Sequence, residues 1–299
     1  MLKRIWIYLK EMFPLLPRLF VGAVIFFEIY FVLLLNYGVH DFSLGIQEAV
    51  GVFTVTAFLL VLRIADDLKD AEADKRLFPK RPLPSGRVEQ RDLKVLLGLV
   101  TSLLLLGNIL FMNNLLWFFF LFSYGVLMSL WFFQRDRIQS SLLLAVITHN
   151  PVMMVLNIYI ISFTVKKYSL PGLTLTTFLL AFTLYFPSLI WEVARKIRAP
   201  REETEYVTYS KIYGHQRATR FVQVLTLLDI VTNLILVHAI NRPVMVLLAA
   251  NALSMTWFFQ RFIQDPERFR LIDKVERYTL ITESLMIIAV VVYLTLGYY

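Results

Sequence analysis

Residues 47–76 read QEAVGVFTVTAFLLVLRIADDLKDAEADKR, so that an apolar run passes directly into a cluster of acids and bases. Positions 47–65 are long and apolar enough to cross a hydrocarbon core of about 30 Å as an α-helix, which rises 1.5 Å per residue. Positions 66–76 are too polar to stay inside that core. The stretch therefore predicts a membrane-spanning helix that carries an acidic segment where it leaves the bilayer.

The composition extends this prediction to the whole chain. Hydrophobic residues make up 58% of the 299 positions and charged residues 17%, which is too apolar for a soluble domain. Nine apolar runs are present, at 14–36, 47–65, 93–112, 115–133, 141–164, 173–193, 219–240, 243–262 and 279–297. Only Asn113 and Asn114 separate the third from the fourth, which predicts a tight hairpin. We expect an all-α polytopic membrane protein with nine transmembrane helices in a single domain, residues 1–299.

Several other classes of protein are excluded or disfavoured. The chain has no cysteine, which excludes disulfides and thiolate metal sites. Its four histidines, His40, His149, His215 and His238, lack the paired spacing of metal ligands. The net charge of +8 does not indicate a nucleic-acid partner, because the bases flank membrane spans and form no known reading motif. Membrane lipids are the expected partners of these bases.

The distribution of Lys and Arg predicts the orientation in the membrane. One side has the basic N-terminus, the loop at 69–91, Arg135 and Arg137, and the loops after spans six and eight. The other side has only Lys166, Lys167 and Arg242. We therefore expect the N-terminus and the acidic loops in the cytoplasm and the C-terminus outside. The first span is too long for a signal peptide and has no small-residue cleavage site, so we expect it to be retained.

The acidic segment has a spacing that suits metal binding. If the helix continues beyond the bilayer, Asp67, Asp70 and Asp74 lie at i, i+3 and i+7 and project from one face. Mg²⁺ binds oxygen ligands, usually a few carboxylates with waters and substrate phosphates. The pattern predicts a diphosphate clamp, with phosphate contacts from nearby bases, namely Lys69, Lys75 and Arg76. The alternative is a solvated helix with intrahelical ion pairs.

A second polar cluster follows span six on the same predicted face. It contains Glu192, Arg195 and Lys196. Glu192 and Lys196 are at i and i+4, so a plain helical salt bridge is the alternative to a role in the site. Span five is also unusually polar around His149–Pro151, where the residues either contact an acceptor or simply kink the helix.

At these residues the chain resembles the UbiA-type intramembrane prenyltransferases. The segment 66–74 is similar to their NDxxDxxxD motif, with Asp66 in place of the leading Asn, and 81–86 reads RPLPSG, like the stretch that follows the motif in that family. The second motif departs from the family's DxxxD, since Glu192 and Lys196 occupy its acidic positions. Thr208–Gly214 resembles a Thr-containing stretch that ends in Gly. Tyr124 resembles a family tyrosine, with Met128 where a base is usual.

The resemblance implies a helical bundle around a central lipophilic cavity that opens near the cytoplasmic side. It implies Mg²⁺ as cofactor, an isoprenoid diphosphate as donor, and transfer of the prenyl group to an aromatic or other lipophilic acceptor. The alternative is a UbiA-type terpene cyclase, which needs no acceptor. A transporter is disfavoured because the acids cluster at span ends. The implied catalytic and metal-binding residues are Asp67, Asp70, Asp74 and Glu192; the implied substrate-binding residues are Asp66, Lys69, Lys75, Arg76, Tyr124, Arg195, Lys196, Tyr209 and Lys211.

Overall fold

The structure, a computed structural model, describes residues 1–237 and 242–296. Within those ranges the regular structure is helical and no β-strand occurs. The helices are α1 Leu2–Met12, α2 Leu15–Asn36, α3 Ile46–Lys69, α4 Ala71–Leu77, α5 Gln90–Phe111, α6 Leu115–Ser129, α7 Arg135–Ser140, α8 Leu142–His149, α9 Val152–Lys167, α10 Leu175–Thr183, α11 Phe186–Ala194, α12 Tyr209–Tyr213, α13 His215–Leu236, α14 Arg242–Gln264 and α15 Leu271–Leu296. Short 3₁₀ helices cover Trp131–Phe133, Pro200–Glu202 and Pro266–Arg268.

Helices occur at all nine predicted spans, and within the described residues eight of them are long and apolar enough to cross a membrane. These eight are α2, α3, α5, α8 with α9, α10 with α11, α13, α14 and α15. The fourth predicted span, 115–133, contains α6, whose 15 residues extend only about 22 Å. The protein is thus an all-helical integral membrane protein, whereas a ninth crossing stays a prediction. The span ends at 240 and 297, and His238, lie outside the described residues.

Two interruptions are present, one that was predicted and one that was considered as an alternative. α5 ends at Phe111 and α6 begins at Leu115, so the Asn113–Asn114 pair separates two helices as predicted. In span five, α8 ends at His149 and α9 begins at Val152. Pro151 lies in this break, where its ring and its missing N–H disfavour an uninterrupted helix. The break accounts for Pro151 without a role for this residue in a site.

The outer surface of the helices is apolar, as lipid contact requires. On α5, Leu99, Leu103 and Leu110 are exposed, whereas Leu93 and Asn108 are buried. The Asn108 amide donates to Thr54 Oγ1 of α3 at 2.8 Å, so the polar group on this helix is satisfied within the protein. This arrangement is typical of membrane helices, whose buried polar groups bond between neighbours.

The chain folds as two compact units. Unit 1 comprises residues 1–26 and 43–135, and its central helices α3 and α5 pack along each other. Unit 2 comprises residues 27–42 and 136–299, in which α13 packs against both α11 and α14. The acidic segment belongs to unit 1 and the cluster after span six belongs to unit 2. The single domain at 1–299 stays a prediction, as does the central lipophilic cavity.

Candidate functional site

The acidic segment is helical with one change of direction. α3 ends at Lys69, Asp70 has φ −98° and ψ 8°, and α4 begins at Ala71. The backbone hydrogen bonds nevertheless continue, from Asp70 N to Asp66 O and from Asp74 N to Asp70 O, both at 2.9 Å. The helix assumed for the i, i+3, i+7 spacing thus has a break in its backbone dihedral angles at Asp70, although its hydrogen bonds run through. Asp67 and Asp74 are buried, and Asp70 lies at the junction between them.

Asp67 is held by two donors, one on each carboxylate oxygen. The Tyr8 hydroxyl donates to Oδ2 at 2.7 Å and Arg63 Nη2 donates to Oδ1 at 2.7 Å. Asp74 accepts a hydrogen bond of 2.8 Å from Arg81 Nη1, the first residue of the RPLPSG stretch. Burial, and next the charge of Asp67, raise the pKa of Tyr8, so that its hydroxyl keeps its proton and remains a donor.

Asp70 differs from its neighbours because its carboxylate forms no hydrogen bond and no ion pair within the described residues. Burial raises its pKa to about 6, opposed by the charge of Lys69 and reinforced by Asp66 and Asp74. Asp70 is thus an acid in this segment whose two oxygens are both open to a ligand.

The bases around the segment are partly engaged. Lys69 pairs with Asp66 at 2.8 Å and lies over the Trp131 ring at 4.5 Å. Lys75 approaches Glu72 at 3.6 Å, and both side chains are exposed. Arg76 is exposed as well. The alternative of intrahelical ion pairs thus describes Asp66, Asp67 and Glu72, but it leaves Asp70 unexplained.

The segment suits Mg²⁺ bound through one or two carboxylates rather than through a preformed cage of carboxylates. Among the described residues, no group of three or more Asp, Glu, His or Cys side chains is arranged to hold a metal ion. This finding disfavours a preformed cage of three carboxylates. Mg²⁺ commonly binds through one or two carboxylates together with waters and substrate phosphates. The available oxygens of Asp70 and the neighbouring Asp67 and Asp74 are compatible with that mode.

In unit 2, Glu192 is tied to both neighbouring bases. Lys196 Nζ lies 2.9 Å from Glu192 Oε1, and Arg195 donates to the same carboxylate, with Nη2 at 2.9 Å from Oε1. Lys196 is buried and Arg195 is exposed. The helical salt bridge considered as the alternative is therefore formed, and a cation-binding role for Glu192 stays a prediction.

The Thr208–Gly214 stretch packs beside this cluster. The backbone N–H of Tyr209 donates to Lys196 O at 2.8 Å, and Thr208 caps α12 by accepting from Lys211 N at 3.1 Å. Burial, followed by the charge of Glu192, raises the pKa of Tyr209. Lys211 is exposed, with Nζ donating to Thr204 O at 2.8 Å. Gly214 has φ 80°, a backbone conformation that favours glycine.

The remaining predicted residue, Tyr124, is half-buried on α6, and its ring meets Phe132 edge-on at 5.5 Å. A cavity of 270 Å³ in unit 2 is lined by Arg198, Glu203 and His215, among others, and contains none of the predicted site residues. Neither observation assigns a substrate contact.

Sequence reasoning missed two sets of residues. The first is Tyr8 with α1, because a short amphipathic helix before the first span gives no motif. The second is a group of acids within spans of unit 2, Glu28, Asp229 and Glu283, whose carboxylates interact electrostatically. Their presence shows that the premise of acids only at span ends was wrong. Hydropathy windows hid them, because one acid changes the mean of a long apolar run very little.

Comparison with known proteins gives one informative likeness. No family model and no curated protein matches the chain. A solved structure, described as giving structural and mechanistic insights into the biosynthesis of digeranylgeranylglyceryl phosphate synthase in membranes, has 15% sequence identity and a TM-score of 0.58. The likeness covers 98% of this chain and 99% of that chain. At this identity it shows the fold: the chain has the fold of a UbiA-type membrane prenyltransferase.

Proposed function

We propose that the protein is a Mg²⁺-dependent intramembrane prenyltransferase that moves a prenyl group from an isoprenoid diphosphate to a lipophilic acceptor. The observation that carries the proposal is Asp70, a carboxylate with no hydrogen bond and no ion pair among the described residues, in an acid-rich segment at the end of the membrane helix α3. The shared fold with a membrane synthase supports the same reaction class.

In this proposal, residues of unit 1 bind the diphosphate group of the donor, each in a different way. Asp70 supplies oxygens without a hydrogen bond to the described residues, and Asp67 and Asp74, three positions before it and four positions after it, supply further oxygens. Lys75 and Arg76 are exposed and can contact phosphate oxygens, whereas Lys69 first has to leave Asp66. When bound, Mg²⁺ neutralises charge that develops on the departing diphosphate.

The rest of the chain then has to protect a reactive allylic group. An apolar helical bundle excludes water, which would otherwise consume the allylic cation. Aromatic faces stabilise such a cation through their quadrupoles. In unit 2 we propose that Glu192, Arg195, Lys196, Tyr209 and Lys211 contribute to donor binding, and in unit 1 Tyr124.

The test uses purified protein in nanodiscs with geranyl, farnesyl and geranylgeranyl diphosphate, with and without acceptors. The acceptors include aromatic lipids and glyceryl phosphate lipids, because the neighbour's name contains such a product. We expect Mg²⁺-dependent prenylation of an acceptor by mass spectrometry. A cyclised product formed without an acceptor would identify the reaction as cyclisation instead of transfer. Donors left unbound and intact under every condition would refute both reactions.

A matched pair of variants locates the reaction in the acidic segment. Asp70→Asn removes the charge of the unpaired acid, and we expect a loss of at least about 100-fold in turnover. Glu72→Gln is the control, because Glu72 lies two positions away and is exposed. We expect Glu72→Gln to retain the wild-type rate. Equal effects of the two substitutions would contradict the proposal.

A further inference from the structure

α1 is attached to the rest of unit 1 by polar contacts along one face. Arg4 Nε donates to Asp92 Oδ2 of α5 at 2.6 Å, and Arg87 Nη2, just after the RPLPSG stretch, donates to Glu11 Oε2 at 2.9 Å. Between them Tyr8 is fully buried, in a hydrophobic cluster that includes Ile64 of α3. The opposite face of α1 is exposed, including Trp6. α1 therefore presents Tyr8 to α3 in a fixed position.

The Tyr8 hydroxyl reaches Asp67, one turn before the unpaired Asp70. Tyr8 donates to Oδ2 and Arg63 donates to Oδ1, both at 2.7 Å, and Asp67 is 5% exposed. Two donors on opposite oxygens fix the rotation of a carboxylate. Each carboxylate oxygen has two acceptor sites, so one site on each oxygen remains for another ligand.

We propose that Tyr8 is a positioning residue, which with Arg63 orients the Asp67 carboxylate so that its remaining acceptor sites bind the Mg²⁺ of a prenyl diphosphate. This inference rests on the proposed function. Ligating carboxylates are commonly held by such hydrogen bonds, and the loss of one weakens metal binding by about 10- to 100-fold. α1 would then be part of the site although it contributes no ligand.

The test is Tyr8→Phe, which removes one oxygen and keeps the ring in its cluster. The first readout is Mn²⁺ binding to the protein without substrate, measured by electron paramagnetic resonance. The second is the Mg²⁺ concentration that half-saturates binding of radiolabelled geranylgeranyl diphosphate in nanodiscs. We expect about tenfold weaker Mn²⁺ binding and about a tenfold higher Mg²⁺ requirement. Excess Mg²⁺ should restore diphosphate binding.

The control is Tyr30→Phe in unit 2. Tyr30 is also fully buried, and its hydroxyl shares a hydrogen bond of 2.6 Å with the Tyr168 hydroxyl. We expect Tyr30→Phe to leave both metal readouts at wild-type values, even if the unfolding temperature falls. Should Tyr8→Phe fail to fold, Arg63→Gln removes the charged donor on the other Asp67 oxygen, and the same weakening is expected.

The outcomes separate this inference from the proposed function. If wild-type protein binds no prenyl diphosphate in Mg²⁺, the proposed function fails. If wild-type binding depends on Mg²⁺ but Tyr8→Phe keeps the wild-type metal affinity, only the positioning role is overturned. A lower unfolding temperature with unchanged metal readouts would likewise reduce Tyr8 to a packing residue.

Discussion

Glu192 forms ion pairs with two bases, Arg195 and Lys196. Substitutions of Glu192 and of Lys196 should therefore have unequal effects on stability. With Glu192→Gln, the buried Lys196 loses its counter-charge and stays close to Arg195. With Lys196→Met, the pair between Glu192 and Arg195 remains. We expect Glu192→Gln to lower the free energy of unfolding by about 1–3 kcal/mol and Lys196→Met by less than about 1 kcal/mol. Thermal unfolding in detergent measures both, and equal losses would contradict the asymmetry.

The same variants test whether this pair takes part in the reaction. If Glu192 binds a cation and Lys196 contacts the diphosphate, Glu192→Gln raises the Mg²⁺ requirement, whereas Lys196→Met weakens donor binding. Lys196→Asp restores the pattern of the resembled family, and a lower Mg²⁺ requirement would show that the site accepts a second acid. Wild-type donor binding in all three variants would leave the pair with a structural role alone.

The sequence predicts which residues form the candidate site, but it does not predict which side chains they contact. The spacing of Asp67, Asp70 and Asp74 could be read from the sequence, because helical periodicity is local. Tyr8 could not, since its contact with Asp67 spans 59 positions and depends on how α1 packs. Nor could sequence alone distinguish Asp70, which forms no hydrogen bond in the described part of the chain, from Asp74, which accepts one from Arg81.

Among the elements, α2 and α3 approach each other closely at a small residue. A Cβ added to Gly51 would overlap the fully buried ring of Phe26. Gly51→Ala should therefore destabilise unit 1 by about 1–3 kcal/mol, although alanine favours the helix itself. Gly98→Ala on α5 is the matched control, because nothing lies within 4 Å of the added Cβ.

We expect Gly98→Ala to unfold at or slightly above the wild-type temperature in detergent, and Gly51→Ala several degrees below it. A Gly51→Ala protein as stable as wild type would show that α2 and α3 separate at little cost. Small residues permit such contacts in membranes, where helix association depends on close packing.

The sequence predicted the helices and their boundaries better than it predicted the contacts between helices. Apolar runs and their interruptions at Asn113 and Pro151 placed the helix boundaries, because chain length across a bilayer and proline geometry are local constraints. The end of α6 was not predicted. The run at 115–133 looked continuous, yet residues 131–133 have positive φ, so the α-helix stops at Ser129.

For the whole molecule, the length of α6 decides the number of crossings. An α-helix of 15 residues extends about 22 Å, less than a hydrocarbon core of about 30 Å, although the 3₁₀ turn at Trp131–Phe133 adds some length. The bases Arg135 and Arg137 follow α6, whereas Asn113 and Asn114 precede it. The charge difference favours opposite sides of the membrane for the two ends.

We therefore expect α6 to cross, which places Asn113 outside and Gln139 in the cytoplasm. The chain has no cysteine, so single substitutions can be labelled with a membrane-impermeant maleimide in intact cells without removing native thiols. Asn113→Cys should be labelled, and the exposed positions Ser85→Cys and Gln139→Cys should react only after permeabilisation. A reporter fused after Tyr299 should be active outside the cytoplasm. If Asn113→Cys and Gln139→Cys are both labelled in intact cells, α6 does not cross, the number of crossings is eight, and both termini lie in the cytoplasm.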